Sequence, residues 1–414
     1  MSALAKQHLE LPFDSGHNHY DALHNGAHGT AILWEKSGAG RWHKLAPGDA
    51  HIPALMAAQA GQSDRFISVN EFHGWRLVRL LKSLRALYID IDGSTDLEHA
   101  RELLRDARLP NPTAAVWSGR GLHLYWMHDP LPAKALPVWQ RCQDALHAAL
   151  APMGADAKAK DCTRVLRLLG SVNSRSGDTV HGRVLDPQPY GWQHLADEIL
   201  GSRIVRVPGE VRSFAAAQAR RGERAYTGSI YDWWHTVYQD LLRIGEGHLL
   251  GGVPEGYRND WLFLSAVALS WFAHPQTIAA ELKAQARAWT PGLSASEVAS
   301  ALKQPLLRAQ RAAAGERVEW HGQERDPRYW YRRSTLLEHM APIIRPDMGL
   351  RAIITDDERA QHRREIEQAR SPRDRVAEGR YATKKADSTE RAKPWEALGI
   401  SRRTYYNRKA AGTL

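Results

Sequence analysis

The stretch ALYIDIDGST, residues 86–95, places two aspartates in an apolar run with the composition of a buried strand. Side chains alternate along a strand, so Leu87, Ile89 and Ile91 face one way, and Asp90 and Asp92 face the other. Two residue rises of about 3.3 Å put the two carboxylates roughly 6 to 7 Å apart. Such a pair can bridge two divalent ions. The alternative is a solvated strand end whose aspartates cap the turn that follows.

The residues around this strand predict an α+β domain with the order β-α-β-β-α-β. The predicted strands are 84–90, 111–117, 122–128 and 164–170, and the predicted helices are 95–109 and 134–154. Thr95 and Glu98 are spaced as a capping box for the first helix, and SGRG permits a tight hairpin between the second and third strands. This is the layout of ferredoxin-like and RNA-recognition-like sheets. Because many functions use it, the layout does not identify one.

A second motif is VWSGRGLHLYW, residues 116–126. Arg120 lies between the two glycines of the turn, and His123 and Tyr125 share one face of the next strand. A histidine and an arginine beside a metal-binding strand can hold a triphosphate. By itself, His123 is better interpreted as a hydrogen-bonded histidine of the sheet.

A third motif is GADAKAKDCTRVLRLLGSVNSRSG, residues 154–177. It offers Asp156 or Asp161 as a further carboxylate. The polar side chains that follow are Arg164 and Arg167 on one face of a strand, and Asn173 and Arg175 in a turn. The alternative interpretation is a loop with a charged edge strand.

Together the three motifs resemble those of the archaeo-eukaryotic primase superfamily, especially primases and primase-polymerases of plasmids, phages and mobile elements. The resemblance covers about residues 65–185. It rests on the order and spacing of the D-x-D pair, of Ser118 to Trp126, and of D-x-x-R-x-x-R-x-x-G-x-x-N from Asp161 to Asn173. It implies that Asp90, Asp92 and Asp161 bind two Mg²⁺ or Mn²⁺ ions. The residues implied to bind an incoming NTP or dNTP are Ser118, Arg120, His123, Arg164, Arg167, Asn173 and Arg175.

Two departures from the family pattern make the third carboxylate less secure. Leu169 stands where the family often has proline, and Arg175 where it often has lysine. Asp156 therefore competes with Asp161 for this role. The implied reaction is attack of a 3′-hydroxyl on the α-phosphate of a nucleoside triphosphate, templated by single-stranded DNA.

The sequence predicts four regions. These are a catalytic domain at 1–205, a linker at 206–228, a helical domain at 229–345 and a basic tail at 346–414. The helical domain carries four stretches with helical spacing, and Ser294 with Glu297 forms a capping box in the last. Its G-x-R-N element, with Gly256, Arg258 and Asn259, resembles the start of the helical domain that follows many such primases. Its tryptophans are interpreted as core.

The end of the tail, KPWEALGISRRTYYNRKAAG, has the pattern of a helix-turn-helix that binds double-stranded DNA. The candidate contact residues are Arg402, Arg403, Tyr405, Tyr406 and Arg408. The alternative is a solvated basic helix. The formal net charge is +10, and residues 391–414 contain six basic side chains (Lys or Arg) but one acidic side chain. This excess of positive charge also favours a polyanionic partner.

Composition excludes several classes of protein. Two cysteines are too few for a disulfide framework or a Cys-rich zinc site, and no apolar run reaches the roughly 18 residues of a membrane span. We therefore expect a cytoplasmic protein, bacterial or encoded by a mobile element, with a replicative helicase or initiator as a further partner.

Two other functions remain open from the sequence. The first is an origin-nicking, metal-dependent nuclease or relaxase. Such an enzyme is expected to carry two histidines around an apolar residue on a strand. The stretch HNHYDALHNGAH, residues 17–28, matches this pattern poorly, because we expect it to be a loop. The second is a non-enzymatic replication initiator or repressor that acts through the tail. The intact set of Asp90, Asp92 and His123 favours an enzyme.

Overall fold

The structure is a computed structural model that describes residues 13–36, 38–200, 230–248, 251–320 and 322–369, with a few positions between 395 and 409. The chain divides into two compact units, residues 1–353 and residues 354–414. The predicted linker at 206–228 lies outside the described residues. The first unit contains two antiparallel sheets and a set of helices, the mixed α and β composition that the sequence predicted.

The elements of residues 13–200 surround the three motifs. The strands are β1 (Ala31–Glu35), β2 (Arg41–Leu45), β3 (Arg65–Ser68), β4 (Glu71–Phe72), β5 (Leu81–Asp92), β6 (Ala114–Trp117), β7 (Gly121–Pro132), β8 (Val165–Arg167) and β9 (His181–Val184). The helices are α1 (Gly16–His24), α2 (Ile52–Ala57), α3 (Leu97–Asp106), α4 (Leu136–Leu150) and α5 (Trp192–Leu200).

The first two motifs lie in a five-stranded sheet with the order β4-β5-β7-β6-β9. As predicted, SGRG closes the β6–β7 hairpin, and the Ser118 N–H donates to the Gly121 carbonyl at 2.9 Å. The apolar face of β5, with Leu87, Ile89 and Ile91, is at most 2% exposed. Each such buried side chain contributes about 1.5 to 3 kcal/mol to folding. On the opposite face Tyr88 is also completely buried, so both faces of β5 are packed, and the polar side chains Asp90 and Asp92 lie where the strand ends.

The fourth predicted strand does not join this sheet. It is shortened to β8 and pairs with β3, at the edge of a second sheet with the order β2-β1-β3-β8. The pairing is fixed by the buried contact of Ile67 with Leu166 and by an ion pair of 2.7 Å between Arg167 and Asp64. The layout thus differs from the predicted β-α-β-β-α-β sheet, because the partner of a short strand is a long-range choice that its own sequence does not specify.

The predicted capping box at Thr95 is wrong by one residue. Helix α3 begins at Leu97, and the Asp96 carboxylate caps it by accepting the His99 N–H at 3.0 Å. The Thr95 carbonyl instead accepts the indole N–H of Trp117 at 3.1 Å. An aspartate caps a helix as well as a threonine does, so the tertiary contact decides the start.

Residues 230–340 contain the four predicted helices. The elements are α6 (Ile230–Gly247), α7 (Arg258–Leu269), α8 (Pro275–Trp289), α9 (Ala295–Ala313), the hairpin β10 (Val318–Trp320) and β11 (Gln323–Arg325), and α10 (Arg333–Met340). The Ser294–Glu297 capping box is confirmed, and α7 opens at the predicted G-x-R-N element. Trp234 and Trp261 are completely buried, as the core interpretation expected.

Helix α8 is attached to the segment that leads into β5. The buried Glu281 carboxylate accepts the Val78 N–H at 2.7 Å and an Arg79 N–H at 2.8 Å. Helices α6 to α10, residues 230–340, are referred to as the helical module. From this module Glu281 also accepts hydrogen bonds from the Tyr238 hydroxyl and an amide N–H of Gln285, both at 3.1 Å. A carboxylate with four donors holds the helical module against the strand that carries Asp90.

The second unit contains helix α11 (Asp356–Ala369), which the charged sequence predicted. Of the predicted DNA-contact residues, Arg402, Arg403 and Tyr406 lie outside the described residues. The Tyr405 ring packs edge-on against Trp395 at 6.0 Å between centroids. In the described ranges no helix combines the length and the apolar character that crossing a membrane requires.

Candidate active site

The sheet register brings Asp90, Asp92 and His123 together on one face. Asp90 pairs directly with His123 across β5 and β7, and Asp92 pairs with Gly121. The His123 Nε2 lies 3.4 Å from the Asp90 Oδ1. A side chain at Gly121 would place its Cβ 2.3 Å from the Ile91 carbonyl oxygen, so the glycine of the turn permits the two strand ends to meet. The two motifs therefore meet at this end of the sheet.

The two carboxylates are electrostatically strained. The pKa of Asp90 is raised to about 6, mainly by burial and also by Asp156, against the opposing effect of Arg164 and Arg167. Burial also raises the pKa of Asp92, with Asp90 and Asp156 adding to the effect. Like charges in a shared, partly desolvated space resist ionisation. A divalent cation would relieve this repulsion, so the donor set fits a metal of that kind.

His123 is neutral at physiological pH. Burial lowers its pKa to about 3; Arg167 and Arg164 add to this, while Asp92 opposes it. In the described part of the chain its Nδ1 is buried without a hydrogen-bond partner. A neutral imidazole donates through only one nitrogen, so His123 can offer a single N–H to an anionic oxygen.

A third carboxylate reaches this face through main-chain pairing. After α4 the chain turns at Gly154 and runs antiparallel along the free edge of β5, with a bridge between Ala155 and Ile91. The Asp156 N–H donates to the Asp90 carbonyl at 2.7 Å. Residues opposite each other in an antiparallel pair share a face, so Asp156 lies on the side of Asp90. Its carboxylate accepts a hydrogen bond from Arg164 at 3.0 Å.

Asp161 occupies a different position. It is 3% exposed, and its carboxylate accepts the N–H of Thr163 at 2.8 Å and the hydroxyl of Thr163 at 2.5 Å. Its carbonyl accepts the hydroxyl of Tyr88. Asp161 is absent from the charges that shift the pKa of Asp90 and Asp92, whereas Asp156 acts on both. Asp161 therefore caps its own turn, and Asp156 is the nearer partner of the strand pair.

Two of the four predicted nucleotide-binding arginines come from the second sheet. Arg164 precedes β8 and is half-buried in its ion pair with Asp156. Arg167 lies in β8, pairs with Asp64 and rests over the ring of Phe66 at 5.0 Å. Both guanidinium groups act on the pKa of His123 and Asp90. The candidate site therefore lies between the two sheets, in the space that we refer to as the cleft.

The remaining predicted residues form one wall of this cleft. Asn173 is buried and donates to the Ser118 carbonyl at 2.7 Å, which ties the turn at 173–177 to the SGRG turn. Its side-chain oxygen accepts the Arg175 N–H at 3.0 Å. Gly119, at φ +104°, is needed because a Cβ there would lie 2.7 Å from the Asn173 amide nitrogen. Arg120 and Arg175 are exposed on the two joined turns.

The sequence prediction missed His19. Residues 17–28 were expected to be a loop, but Gly16–His24 form helix α1, capped by Ser15. His19 is completely buried, accepts the Leu169 N–H at 3.3 Å and packs edge-on against Tyr125 at 5.7 Å. Burial lowers its pKa to about 3, and His123 adds to this. The signal was the apolar spacing of Tyr20 and Leu23 with the serine cap.

In the ranges described, no three His, Cys, Asp or Glu side chains converge into a closed metal site. Magnesium in phosphoryl-transfer enzymes is bound by one or two carboxylates together with substrate phosphates and water. The open set of Asp90, Asp92 and Asp156 has the chemistry for that mode. It does not form a cage of protein ligands.

No protein-family model matches the chain. A curated protein from Clostridium perfringens named "Replication protein" is 31% identical over 183 residues, which cover 42% of this chain and 43% of that relative. The chain therefore spans less than half of the length of the curated relative that it matches.

Three solved structures are similar to the chain at low TM-scores. The primase-polymerase domain of cyanophage S-2L has 18% identity and a TM-score of 0.34, covering 44% of this chain and 94% of that one. The catalytic domain of primase RepB' in complex with initiator DNA has 15% identity, a TM-score of 0.30, and 53% and 99% coverage. Primase RepB' has 14% identity, a TM-score of 0.30, and 88% and 100% coverage.

Proposed function

We propose that this protein is a DNA-dependent primase, or primase-polymerase, that makes primers on single-stranded DNA for replication of a plasmid or mobile element. The observation that carries the proposal is the shared face of Asp90, Asp92 and His123, fixed by the β5–β7 register. Asp156 joins that face by main-chain pairing with Asp90. Three carboxylates beside a neutral histidine and flanking arginines suit nucleotidyl transfer.

We assign Asp90, Asp92 and Asp156 as the residues that would hold Mg²⁺ or Mn²⁺. When bound, the metal supplies Lewis-acid chemistry at the phosphates and lowers the pKa of the attacking hydroxyl. Asp156 replaces Asp161 in this assignment because the Asp161 carboxylate is engaged by Thr163.

The chain's own residues orient the nucleotide. His123 offers one imidazole N–H to a phosphate oxygen, and Arg164 and Arg167 supply positive charge from the opposite sheet. Arg120 and Arg175 extend that charge to the rim of the cleft. In the reaction the primer 3′-oxygen forms a bond to the α-phosphorus, the bond to pyrophosphate breaks, and the hydroxyl proton is released to solvent.

The histidine stretch does not support the nuclease alternative. His17 is about 40% exposed and pairs with Asp21, whereas His19 is buried, so the two histidines do not share a face of a strand. A metal-binding His-x-His pair on a strand requires that they do. Binding of double-stranded DNA by the tail and binding of a helicase or initiator remain proposals from the sequence.

A priming assay tests the function. The chain is incubated with circular single-stranded DNA, NTPs or dNTPs, and Mg²⁺ or Mn²⁺, without a primer. We expect metal-dependent synthesis of short products complementary to the template. Nicking without synthesis would replace the proposal with the nuclease, and DNA binding with neither activity would replace it with the non-enzymatic initiator.

A further inference from the structure

The second sheet presents a row of aromatic side chains that neither the fold nor the candidate site explains. Trp42, Trp34, Phe66 and Arg167 pair in turn across the four strands β2, β1, β3 and β8. Directly paired residues share a face, so the four side chains stand side by side across the whole sheet. Three strand spacings make this row about 14 Å wide. We refer to Trp42, Trp34 and Phe66 as the aromatic row.

The rings of the aromatic row are stacked and remain accessible. Trp34 and Trp42 lie parallel within 6° at 4.9 Å between centroids, and Phe66 follows at 5.0 Å. All three are only partly buried. In contrast, Trp234 and Trp261 in the helical module have no exposed surface. Large aromatic rings left partly in water over several strands indicate a contact surface.

Cationic side chains accompany the aromatic row. The Arg76 guanidinium covers the outer face of Trp42 at 4.6 Å, and Arg167 covers Phe66 at the other end at 5.0 Å. Trp75 packs edge-on against Trp42, and exposed Lys44 lies 5.8 Å from the centre of its ring. Asp64, the carboxylate at this face, is paired with Arg167. Aromatic faces flanked by cations are the chemistry that single-stranded nucleic acid requires.

The aromatic row is continuous with the candidate active site. Arg167, at its end, acts on the pKa of both Asp90 and His123. At the other end, Arg76 donates to the Thr163 carbonyl at 2.9 Å, in the turn that Asp161 caps. A single-stranded nucleic acid that lies on the aromatic row would therefore lead directly into the cleft between the sheets.

We propose that the aromatic row binds the single-stranded DNA template, with bases stacked on Trp42 and its neighbours and phosphates paired with Arg76 and Lys44. This inference rests on the proposed function. A base takes the place of the Arg76 guanidinium on the outer face of Trp42, and the guanidinium moves to the phosphate. Base stacking tolerates any sequence, as a template site must.

The test measures binding of a fluorescent 20-nucleotide oligo-dT and of a duplex of equal length to the full chain. Trp42→Ala should weaken oligo-dT binding roughly five- to tenfold, the loss expected from one stacked base. Trp42→Phe should restore most of the affinity, and duplex binding should stay unchanged. Trp330→Ala is the matched control, because Trp330 is an exposed tryptophan of the helical module. Wild-type affinity of Trp42→Ala for oligo-dT would overturn the proposal, as would an equal loss for the duplex.

A second variant covers the case in which Trp42→Ala fails to fold. Lys44→Gln changes an exposed side chain, and it should lower the slope of log affinity against log salt for oligo-dT by roughly 0.7. An unchanged slope would contradict the phosphate contact. The priming assay distinguishes failure of this inference from failure of the proposed function. If the wild-type chain makes no product yet Trp42→Ala loses oligo-dT binding, the DNA-binding surface stands and the primase function does not. If the wild-type chain makes product but the variants bind oligo-dT as the wild type does, the primase function stands and the DNA-binding surface does not.

Discussion

Asp90 is a partly buried carboxylate that costs the fold stability when it ionises. Its pKa is raised to about 6, mainly by burial, so the folded chain holds a proton that the unfolded chain releases near pH 4. Stability therefore falls as pH rises from about 4 to about 6, and the full cost is present above that range. A shift of about two units corresponds to about 3 kcal/mol.

We predict that Asp90→Asn stabilises the metal-free protein. At pH 7.5 in EDTA the variant should unfold at a higher temperature than the wild type, by an amount corresponding to at most about 3 kcal/mol, and the gap should narrow at pH 5. Mg²⁺ should raise the melting temperature of the wild type more than that of the variant. Calorimetry provides the measurement. The matched control is Asp106→Asn, on the exposed end of α3. A variant less stable than the wild type at pH 7.5 would contradict this account.

Asp156 and Asp161 are distinguished by what their carboxylates contact. We predict that Asp156→Asn lowers the rate of primer synthesis at least about a hundredfold, since it removes a charge on the metal-binding face. Asp161→Asn should lower the melting temperature while retaining most of the synthesis, because it weakens the cap on Thr163. Initial rates are compared with the fraction folded of each variant. Equal loss of synthesis in a folded Asp161→Asn chain would restore Asp161 as the third carboxylate.

The attachment of α8 to the start of β5 depends on one buried charge. Glu281→Ala leaves Arg79 without its partner and the Val78 N–H unpaired, so we predict a loss of about 3 to 5 kcal/mol in the free energy of unfolding. Urea denaturation measures this. Glu316→Ala, which breaks an exposed ion pair with Arg311, is the control and should change stability by less than about 1 kcal/mol. Similar values for the two variants would show that the attachment does not depend on Glu281.

The elements that carry the candidate site were predictable to different degrees. Strand β5 and the β6–β7 hairpin follow from alternation and turn residues, which are local properties. The register of their pairing, which places His123 opposite Asp90, is not specified by these local patterns. The run from Gly154 to Asp156 has no periodicity, so its pairing with the edge of β5 could not be read from the sequence. The partners of β8 and the aromatic row likewise depend on contacts distant in sequence.

At the scale of the molecule, the second unit begins at residue 354, whereas the predicted tail begins at 346. The difference comes from Asp240, which is completely buried and accepts the N–H groups of Arg351, Ala352 and Ile353 at 2.6 to 3.0 Å. These bonds bind the segment before 354 to helix α6. Arg243 of the same helix also donates to Asp240 at 2.9 Å, and the three backbone N–H groups complete the hydrogen bonds of this buried charge.

We predict that a chain ending at residue 353 unfolds cooperatively at close to the temperature of the full chain. A chain ending at 345 should melt lower, because it removes the three backbone donors of the buried Asp240 carboxylate and leaves Arg243 as its partner. Circular dichroism on heating compares the two. Equal melting temperatures would place the limit of the folded unit at 345.

The most direct test of the central claim is template-dependent primer synthesis by the Asp90→Ala, Asp92→Ala double variant on single-stranded DNA. Asp106→Ala is the control, and duplex binding is measured in parallel. The carboxylate face is predicted to be essential. The double variant should therefore make no product while its duplex binding stays near that of the wild type, and Asp106→Ala should prime normally. Wild-type synthesis by the folded double variant would contradict the assignment of this face as the catalytic centre.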